Sequence, residues 1–334
     1  MGWYFYIPLA ILAFFLLILL LVYLAISRVF HRRYDGKSHL RYLTASDFPG
    51  LMSEKIEFPG NKKQPLRGFL YYRGSREAAK GLIVFCHGIG AGHYAYTTQI
   101  NAFAKQGYLV MAFDYTGCVL SGGKSIRGLT QAIVDLDYAL AYIERHPDLA
   151  CMKRILLGHS WGGYVVNNVF SLKHSVDKVI SIAGFNNVPD VISDIGRGLT
   201  FFKLWFHILN FFEFGKYATF SSAKSLKKST VPTLLIHSRC DQVVRFNHSM
   251  AKYIVATKGM GNVTHVVDEE KMHNPYLSMR AETYLNKVMS KLPYMERKAG
   301  DDEAREFYAT LDYDLLTEED PQFMQMLYDW ILEQ

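Results

Sequence analysis

Cysteine is scarce in this chain of 334 residues, and the cysteines that occur are far apart. They are Cys86, Cys118, Cys151 and Cys240, and no C-x-x-C pair is present. A disulfide framework or a structural zinc site needs cysteines at short, regular spacings. The cysteines therefore fit a reducing compartment, and the sequence predicts no metal site and no bound cofactor.

Charged side chains are absent before Arg28. Residues 7–26 form an apolar run of 20 residues, which is about the length a helix needs to cross a roughly 30 Å hydrocarbon core. A cleavable signal peptide would have a basic start, a shorter apolar core and a small-residue cleavage site. We therefore expect a transmembrane anchor with its basic flank at 1–30 and a juxtamembrane connector at 31–53. Because the basic cluster follows the span, the positive-inside rule predicts a single-pass membrane protein with its body in the cytoplasm.

A basic motif or aromatic-basic array is also missing, although the formal net charge is +6. From residue 292 onward there are 12 acidic and 3 basic side chains, a net of −9, so the remainder carries +15. We interpret that remainder as a surface facing the cytosol or a membrane rather than nucleic acid. Residues 292–334 are predicted to be an acidic helical extension whose apolar stripe docks on the domain or, alternatively, binds a regulatory partner.

Between residues 54 and 291, short apolar runs alternate with longer segments of helical periodicity. This alternation predicts an α/β domain with a mostly parallel sheet covered by helices on both faces, and sites outside the carboxyl ends of the strands. An insertion at 184–231 is predicted to be a small helical cap. Its helix could pack on the body or dip into a membrane surface. Phe201, Leu204, Trp205, Ile208, Leu209 and Phe212 share one face of the predicted helix, and Lys203, His207, Asn210 and Glu213 share the other.

The stretch Gly158-His159-Ser160-Trp161-Gly162 lies between a predicted strand and a predicted helix. This G-x-S-x-G pattern in that context predicts a sharp turn that presents the serine as a nucleophile. Glycines are needed there because two backbone segments come too close for a side chain between them. Gly163 is a further small residue, at the place where the helix packs on the strand.

Three further stretches follow predicted strands. His87-Gly88-Ile89-Gly90-Ala91-Gly92 offers backbone N–H groups to a developing oxyanion. Asp241 begins one loop and His273 lies in another, which gives the order Ser160, Asp241, His273 expected of this class of triad. Asp268, Glu269 and Glu270 compete for the acid role, and Asp241 is preferred because it follows a strand of its own.

With these motifs the sequence resembles the α/β-hydrolase superfamily, specifically serine hydrolases grouped with monoacylglycerol lipases, lysophospholipases and S33-type peptidases. The resemblance covers about residues 54–291. It implies that Ser160 is the nucleophile, His273 the general base and acid, and Asp241 the residue that orients His273. It also implies an oxyanion hole made by the N–H groups of Ile89 and Trp161. One loop departs from the family pattern D-x-R-G-x-G: in residues 114–119, Thr116 replaces the arginine and Val119 a glycine.

The predicted function is cleavage of carboxylic esters or thioesters through an acyl-enzyme, with a lipid or another acyl compound as substrate and a membrane as partner. A serine peptidase or aminopeptidase and an acyltransferase remain alternatives that use the same residues. A membrane-tethered binding protein without catalysis is a further alternative, because fold does not imply function.

Overall fold

A computed structural model describes residues 4, 6–37, 39–90, 92–195, 203–295 and 299–333. The described residues form an eight-stranded sheet with helices on both faces. The strands are β1 Met52–Pro59, β2 Pro65–Tyr72, β3 Leu82–Cys86, β4 Leu109–Phe113, β5 Arg154–His159, β6 Lys178–Ile182, β7 Thr233–Ser238 and β8 Val263–Asp268. The helices are α1 Tyr6–Phe30, α2 Thr97–Lys105, α3 Gln131–Arg145, α4 Pro147–Ala150, α5 Trp161–Asn167, α6 Val188–Ile195, α7 Lys203–Phe214, α8 Ser222–Leu226, α9 Met250–Ala256, α10 Met279–Met295, α11 Asp301–Ala309, α12 Tyr313–Leu316 and α13 Pro321–Leu332.

The strands lie in the order β1-β2-β4-β3-β5-β6-β7-β8. Strand β2 is antiparallel to both of its neighbours, and every pairing from β4 to β8 is parallel. The expected α/β architecture with a mostly parallel sheet is confirmed. The carboxyl ends of β3, β5, β7 and β8 therefore meet along one edge of the sheet, where such folds carry their sites.

The central strands are buried on both faces, which explains their continuous apolar sequences. In β3, Leu82, Val84 and Cys86 belong to the core under α3 and α5, whereas Ile83 and Phe85 belong to the core under α2 and α13. Since successive side chains of a strand point to opposite faces, one five-residue strand contributes to both cores.

Helix α1 contains a stretch, Tyr6–Leu24, that is long and apolar enough to cross a membrane, with a mean hydropathy of 3.0. Its side chains are mostly exposed, including Leu9 at 62% and Phe14 at 64%. A helix that is apolar all round and uncovered by protein needs an apolar surrounding. The helix continues to Phe30, a little beyond the predicted apolar run.

The segment after α1 runs along the loop that follows β4. The guanidinium group of Arg33 donates hydrogen bonds to the carbonyl oxygens of Val119, Ser121 and Gly123, at 2.9, 3.1 and 2.5 Å. The N–H of Val119 in turn donates to the carbonyl of Tyr34 at 3.2 Å. The connector is thus fixed to the body at the edge of the sheet that holds the carboxyl ends of the strands.

Helix α13 covers part of one face of the sheet. The buried residues of its apolar stripe are Met324, Leu327 and Ile331. Lys178, the first residue of β6, donates to the carbonyl oxygens of Trp330, Ile331 and Glu333 at 3.1, 2.8 and 2.7 Å. These carbonyls lie at the end of the helix, where intrahelical donors run out. The carboxyl-terminal stripe therefore packs on the domain, and α10 runs to Met295, across the boundary expected after residue 291.

Cap helix α7 contacts the body through the face that the sequence marks as polar. The Thr130 hydroxyl donates to Asn210 at 3.0 Å, and Glu213 forms an ion pair with Arg127. Phe214, at the end of the helix, is buried against α3.

The apolar face of α7 points away from the body. Leu204 is 71% exposed and Phe212 is 82% exposed. The helix therefore packs on the body through its polar pairs and Phe214, and these two residues of the apolar face are left exposed. Phe201 lies outside the described residues, and the side chain of Trp205 is not described.

Candidate active site

Ser160 occupies the turn between β5 and α5, with φ 56° and ψ −112°. A non-glycine residue in this region of backbone space costs about 1–3 kcal/mol, so the surroundings must hold it there. The N–H of Ser160 donates to the carbonyl of Ile182 at 2.8 Å. A Cβ atom at Gly162 would lie 1.8 Å from the carbonyl oxygen of Cys86, which confirms that the close approach requires glycine.

The side chains of Ser160, His273 and Asp241 form a continuous hydrogen-bonded chain. His273 Nε2 lies 2.9 Å from Ser160 Oγ, and His273 Nδ1 lies 2.8 Å from Asp241 Oδ2. Each residue comes from a loop at the carboxyl end of a different strand, namely β5, β7 and β8. In this arrangement the imidazole can accept the hydroxyl proton of the serine while its other nitrogen donates to the carboxylate.

The carboxylate of Asp241 is held in its ionised form although its side chain is fully buried. Burial by itself raises the pKa of this carboxyl, but the hydrogen bond from His273 and the neighbouring His237 outweigh it and lower the pKa below its ordinary value. Its other oxygen accepts hydrogen bonds from the N–H groups of Val243 and Val244 at 2.8 and 2.9 Å. The carboxylate is therefore fixed by the backbone of its own loop.

Two of the competing carboxylates near His273 in sequence, Asp268 and Glu269, are engaged elsewhere. Asp268 accepts from the N–H groups of Glu270 and Lys271 at 2.8 and 2.7 Å. Glu269 pairs with Arg239 at 2.9 Å. Among the described residues, only Asp241 is recorded as a carboxylate partner of the His273 ring.

Trp161 directly follows Ser160, and Ile89 follows Gly88 in the loop after β3. Trp161 is the first residue of α5, where the backbone N–H has no intrahelical acceptor. A Cβ atom at Gly88 would lie 3.5 Å from the Cβ of Ser160, so the residue before Ile89 sits directly against the serine. Ile89 and Gly90 also line a cavity of about 290 Å³ that extends away from the turn.

A second hydrogen-bonded chain, which we call the relay (Gly88, Tyr96, His159 and the backbone of His273), was missed by sequence reasoning. The Gly88 N–H donates to the Tyr96 hydroxyl at 3.1 Å, and that hydroxyl donates to His159 Nδ1 at 2.8 Å. His159 Nε2 then donates to the backbone carbonyl of His273 at 2.9 Å. Because burial lowers the pKa of His159 to about 3, its ring stays neutral and keeps one nitrogen as an acceptor.

The relay joins the loop after β3 to the loop that carries His273. The available signal was the position of His159 inside the G-x-S-x-G pattern, directly before Ser160. Nothing in the sequence indicated the tyrosine partner, since the two residues are 63 positions apart.

The loop that departs from the family pattern keeps a defined shape by other contacts. Val119 adopts φ 33°, a value that suits the glycine it replaces. Thr116 donates from its N–H and its hydroxyl to Asp135 at 2.7 and 2.9 Å. An arginine is also present, but it is Arg33 of the connector and not a residue of the loop.

Comparison with known proteins agrees with this geometry. Residues 77–210 match the family model described as serine aminopeptidase, S33. A monoacylglycerol lipase of Mycolicibacterium smegmatis is 37% identical over 92 residues, which are 26% of this chain and 31% of that protein. The match therefore spans about a third of the curated relative's length.

Solved structures share the fold at low sequence identity. An esterase of Pyrococcus furiosus gives a TM-score of 0.58 at 17% identity over 79% of this chain and 98% of its own. An acylaminoacyl peptidase of Pyrococcus horikoshii gives 0.53 at 20% identity, over 77% and 44% of the two chains. An acetyl xylan esterase from Paenibacillus sp. R4 gives 0.56 at 14% identity, over 76% and 86%. With the sheet order, these matches show that the chain shares the α/β fold of these proteins.

Proposed function

We propose that this protein is a membrane-anchored serine hydrolase that cleaves carboxylic esters or thioesters of lipids or other acyl compounds. The observation that carries the proposal is the hydrogen-bonded chain from Ser160 through His273 to Asp241, with the serine at the turn. The relatives named above are esterases, lipases and peptidases, which all act on acyl groups.

In the proposed mechanism His273 removes the proton of Ser160 as the hydroxyl oxygen attacks the acyl carbonyl. The N–H groups of Ile89 and Trp161 receive the negative charge that develops on the carbonyl oxygen. The protonated imidazole, stabilised by the ionised Asp241, then donates its proton to the leaving alcohol or thiol. Water repeats the sequence on the acyl-enzyme and releases the acid.

The lipid part of the proposal is supported by the apolar surfaces near the site. Helix α1 is long enough to cross a membrane, and Arg33 ties the connector to the sheet edge that bears Ser160. The exposed Leu204 and Phe212 of α7 add an apolar surface that would favour a lipid interface.

An aminopeptidase is disfavoured by the charges around the cavity beside Ile89. A free α-ammonium group is recognised by a carboxylate, yet no described residue that lines this cavity is an aspartate or glutamate. The cationic side chains Lys37 and Arg41 line it instead. Acyl transfer to an alcohol would use the same residues. It differs from hydrolysis because an alcohol, and not water, takes the acyl group from the acyl-enzyme.

The proposal is tested by labelling with a fluorophosphonate probe and by turnover of four substrate classes. These are monoacylglycerols, lysophospholipids, p-nitrophenyl esters and acyl-thioesters. Ser160→Ala is expected to abolish labelling because the probe forms its bond with the serine oxygen. Asp241→Asn is expected to keep the fold and lower turnover on the order of 10³–10⁴-fold, since the carboxylate fixes the imidazole tautomer. Labelling that persists in Ser160→Ala would overturn the assignment.

The proposed orientation places the body in the cytoplasm, on the side of the basic cluster that follows α1. Protease added to intact cells should leave the body whole, whereas protease added to inverted vesicles should degrade it. Digestion in intact cells would refute the orientation and leave the chemistry untouched.

A further inference from the structure

The cavity beside Ile89 is walled by parts of the chain that lie outside the hydrolase domain expected from sequence. Leu40 and Leu43 come from the connector, Leu292 from the end of α10 and Leu316 from α12. The loop and helix after β3 close the remaining side. The connector and the carboxyl-terminal helices thus form one wall of a space that the sheet alone would leave open.

These segments are fixed to each other as well as to the sheet. Leu40 and Leu316 pack against a small core that contains Val288 and Leu292 of α10. The N–H of Arg41 donates to the hydroxyl of Tyr313 at 3.3 Å. The cavity therefore has a built wall rather than a gap between loose segments.

The cavity lies beside the loops that carry the candidate oxyanion donor Ile89 and the general base His273. Ile89 and Gly90 line it, and the preceding Gly88 packs against the Cβ of Ser160. Asn274, the neighbour of His273, lines it as well. A chain attached to a carbonyl carbon at Ser160 would therefore find the cavity directly beyond the oxyanion loop.

The size and chemistry of the cavity suit a hydrocarbon chain. Its volume is about 290 Å³, which holds on the order of ten methylene groups if each takes roughly the 30 Å³ of one liquid water. Leucine, isoleucine and methionine side chains line it, and its polar groups are mostly hydroxyls and amides. Ligand sites of this kind combine apolar walls with a few polar groups that set orientation.

We propose that this cavity binds the acyl chain of the ester, up to about ten carbons long. The inference rests on the proposed function and adds the substrate class to it, namely medium-chain acyl esters. The acyl group is the part that stays on Ser160 through both half-reactions, whereas the alcohol must leave first. A space walled by packed helices suits the group that stays.

The test measures kcat/KM for p-nitrophenyl esters from acetyl to hexadecanoyl with the full chain in detergent. Leu316→Trp fills the cavity from α12, and Met289→Trp fills it at its exposed mouth. Each is expected to lower the decanoyl-to-acetyl ratio of kcat/KM at least tenfold. Leu316→Ala enlarges the space and is expected to shift the best chain length upward. Met279→Trp, on the exposed surface of α10 and outside the cavity lining, is the matched control and should leave the ratio unchanged.

Opposite shifts for Leu316→Trp and Leu316→Ala would support the acyl site, since a general loss of stability lowers all rates together. An unchanged ratio in Leu316→Trp and Met289→Trp would overturn it. A parallel series of acetate esters of longer alcohols gives a second check. If the variants change the preference in that series and not in the acyl series, the site holds the leaving group and the proposal is wrong.

Failure of this proposal and failure of the proposed function give different results. Fluorophosphonate labelling of the unchanged protein reports the serine chemistry whatever the chain length. Labelling with a flat chain-length profile would reject the acyl site alone, whereas absence of labelling and of turnover would reject both.

Discussion

Substitution of Tyr96 by phenylalanine removes the central hydroxyl of the relay. The ring is buried between Phe85 and Tyr276, at centroid distances of 5.1 and 6.0 Å, so a phenylalanine ring fits the same space. The change removes one hydroxyl that accepts from Gly88 and donates to His159. Two buried polar groups, the Gly88 N–H and the His159 ring nitrogen Nδ1, are left without that partner.

The expected loss of unfolding free energy is about 2–6 kcal/mol, because each of the two buried groups without a partner costs about 1–3 kcal/mol. The effect on catalysis follows from Gly88, which directly precedes the proposed oxyanion donor Ile89. Complete removal of an oxyanion donor costs about 10²–10³-fold in kcat, so a misplaced donor is expected to cost about 10–100-fold. The loss should fall on kcat and spare KM, since the interaction is made in the transition state.

The assay combines urea unfolding with the steady-state kinetics of p-nitrophenyl acetate, whose acyl group is too short to use the cavity. Tyr138→Phe, an exposed tyrosine on α3, is the matched control and should change neither quantity. A variant that loses stability yet keeps its kcat would show that the relay only supports the fold. A loss confined to KM would also refute the reasoning, because it would indicate weaker ground-state binding.

Three further predictions concern residues away from the triad. Arg33→Met should speed amide hydrogen exchange in residues 117–123, because three carbonyls of that loop lose their donor. The control is Arg28→Met, at an exposed arginine. Unchanged exchange in Arg33→Met would show that the loop keeps its structure without the arginine. Lys178→Met should lower the unfolding free energy by about 2 kcal/mol, since three carbonyls at the end of α13 lose a charged donor. Urea titration measures this free energy. In limited proteolysis, cleavage within α13 should occur earlier than in the unchanged protein. Burial raises the pKa of Asp135 from 3.8 to about 6, so its contribution to stability is present below pH 4 and is lost as the pH rises through 6. The linkage between proton binding and folding puts that loss on the order of 3 kcal/mol. Asp135→Asn should remove this part of the pH dependence when the unfolding free energy is measured at pH 4 and pH 7. The same change in unfolding free energy with pH in both proteins would contradict the prediction.

The fold could be read from the sequence because its strands are buried on both faces. Such strands have continuous apolar runs, and β4, Leu109–Phe113, is apolar and buried at every position. The turn at Ser160 was readable for a related reason, since backbone crowding permits only glycine at positions such as Gly162.

The contacts that the sequence concealed are those between distant segments. Periodicity separates the two faces of α7 but does not say which face meets the body; polar pairs through Asn210 and Glu213 make that contact. The pattern in residues 114–119 shows that the loop lacks an arginine. It gives no indication that Arg33, 86 residues from Val119, provides a guanidinium group to this loop. The tyrosine of the relay is hidden for the same reason, because a hydroxyl partner leaves no periodic signal.

Helix α13 has a consequence for the order in which the protein can be completed. Translation produces β8 before α13, and 64 residues separate the end of β8 at Asp268 from the end of α13 at Leu332. At about 5–20 residues per second, roughly 3–13 s pass between these two points. During that interval all eight strands and His273 have been made, while the face later covered by Met324, Leu327 and Ile331 stays open. A stop codon between residues 274 and 320 would therefore yield a chain that holds every residue of the candidate triad and an uncovered apolar surface, which invites aggregation.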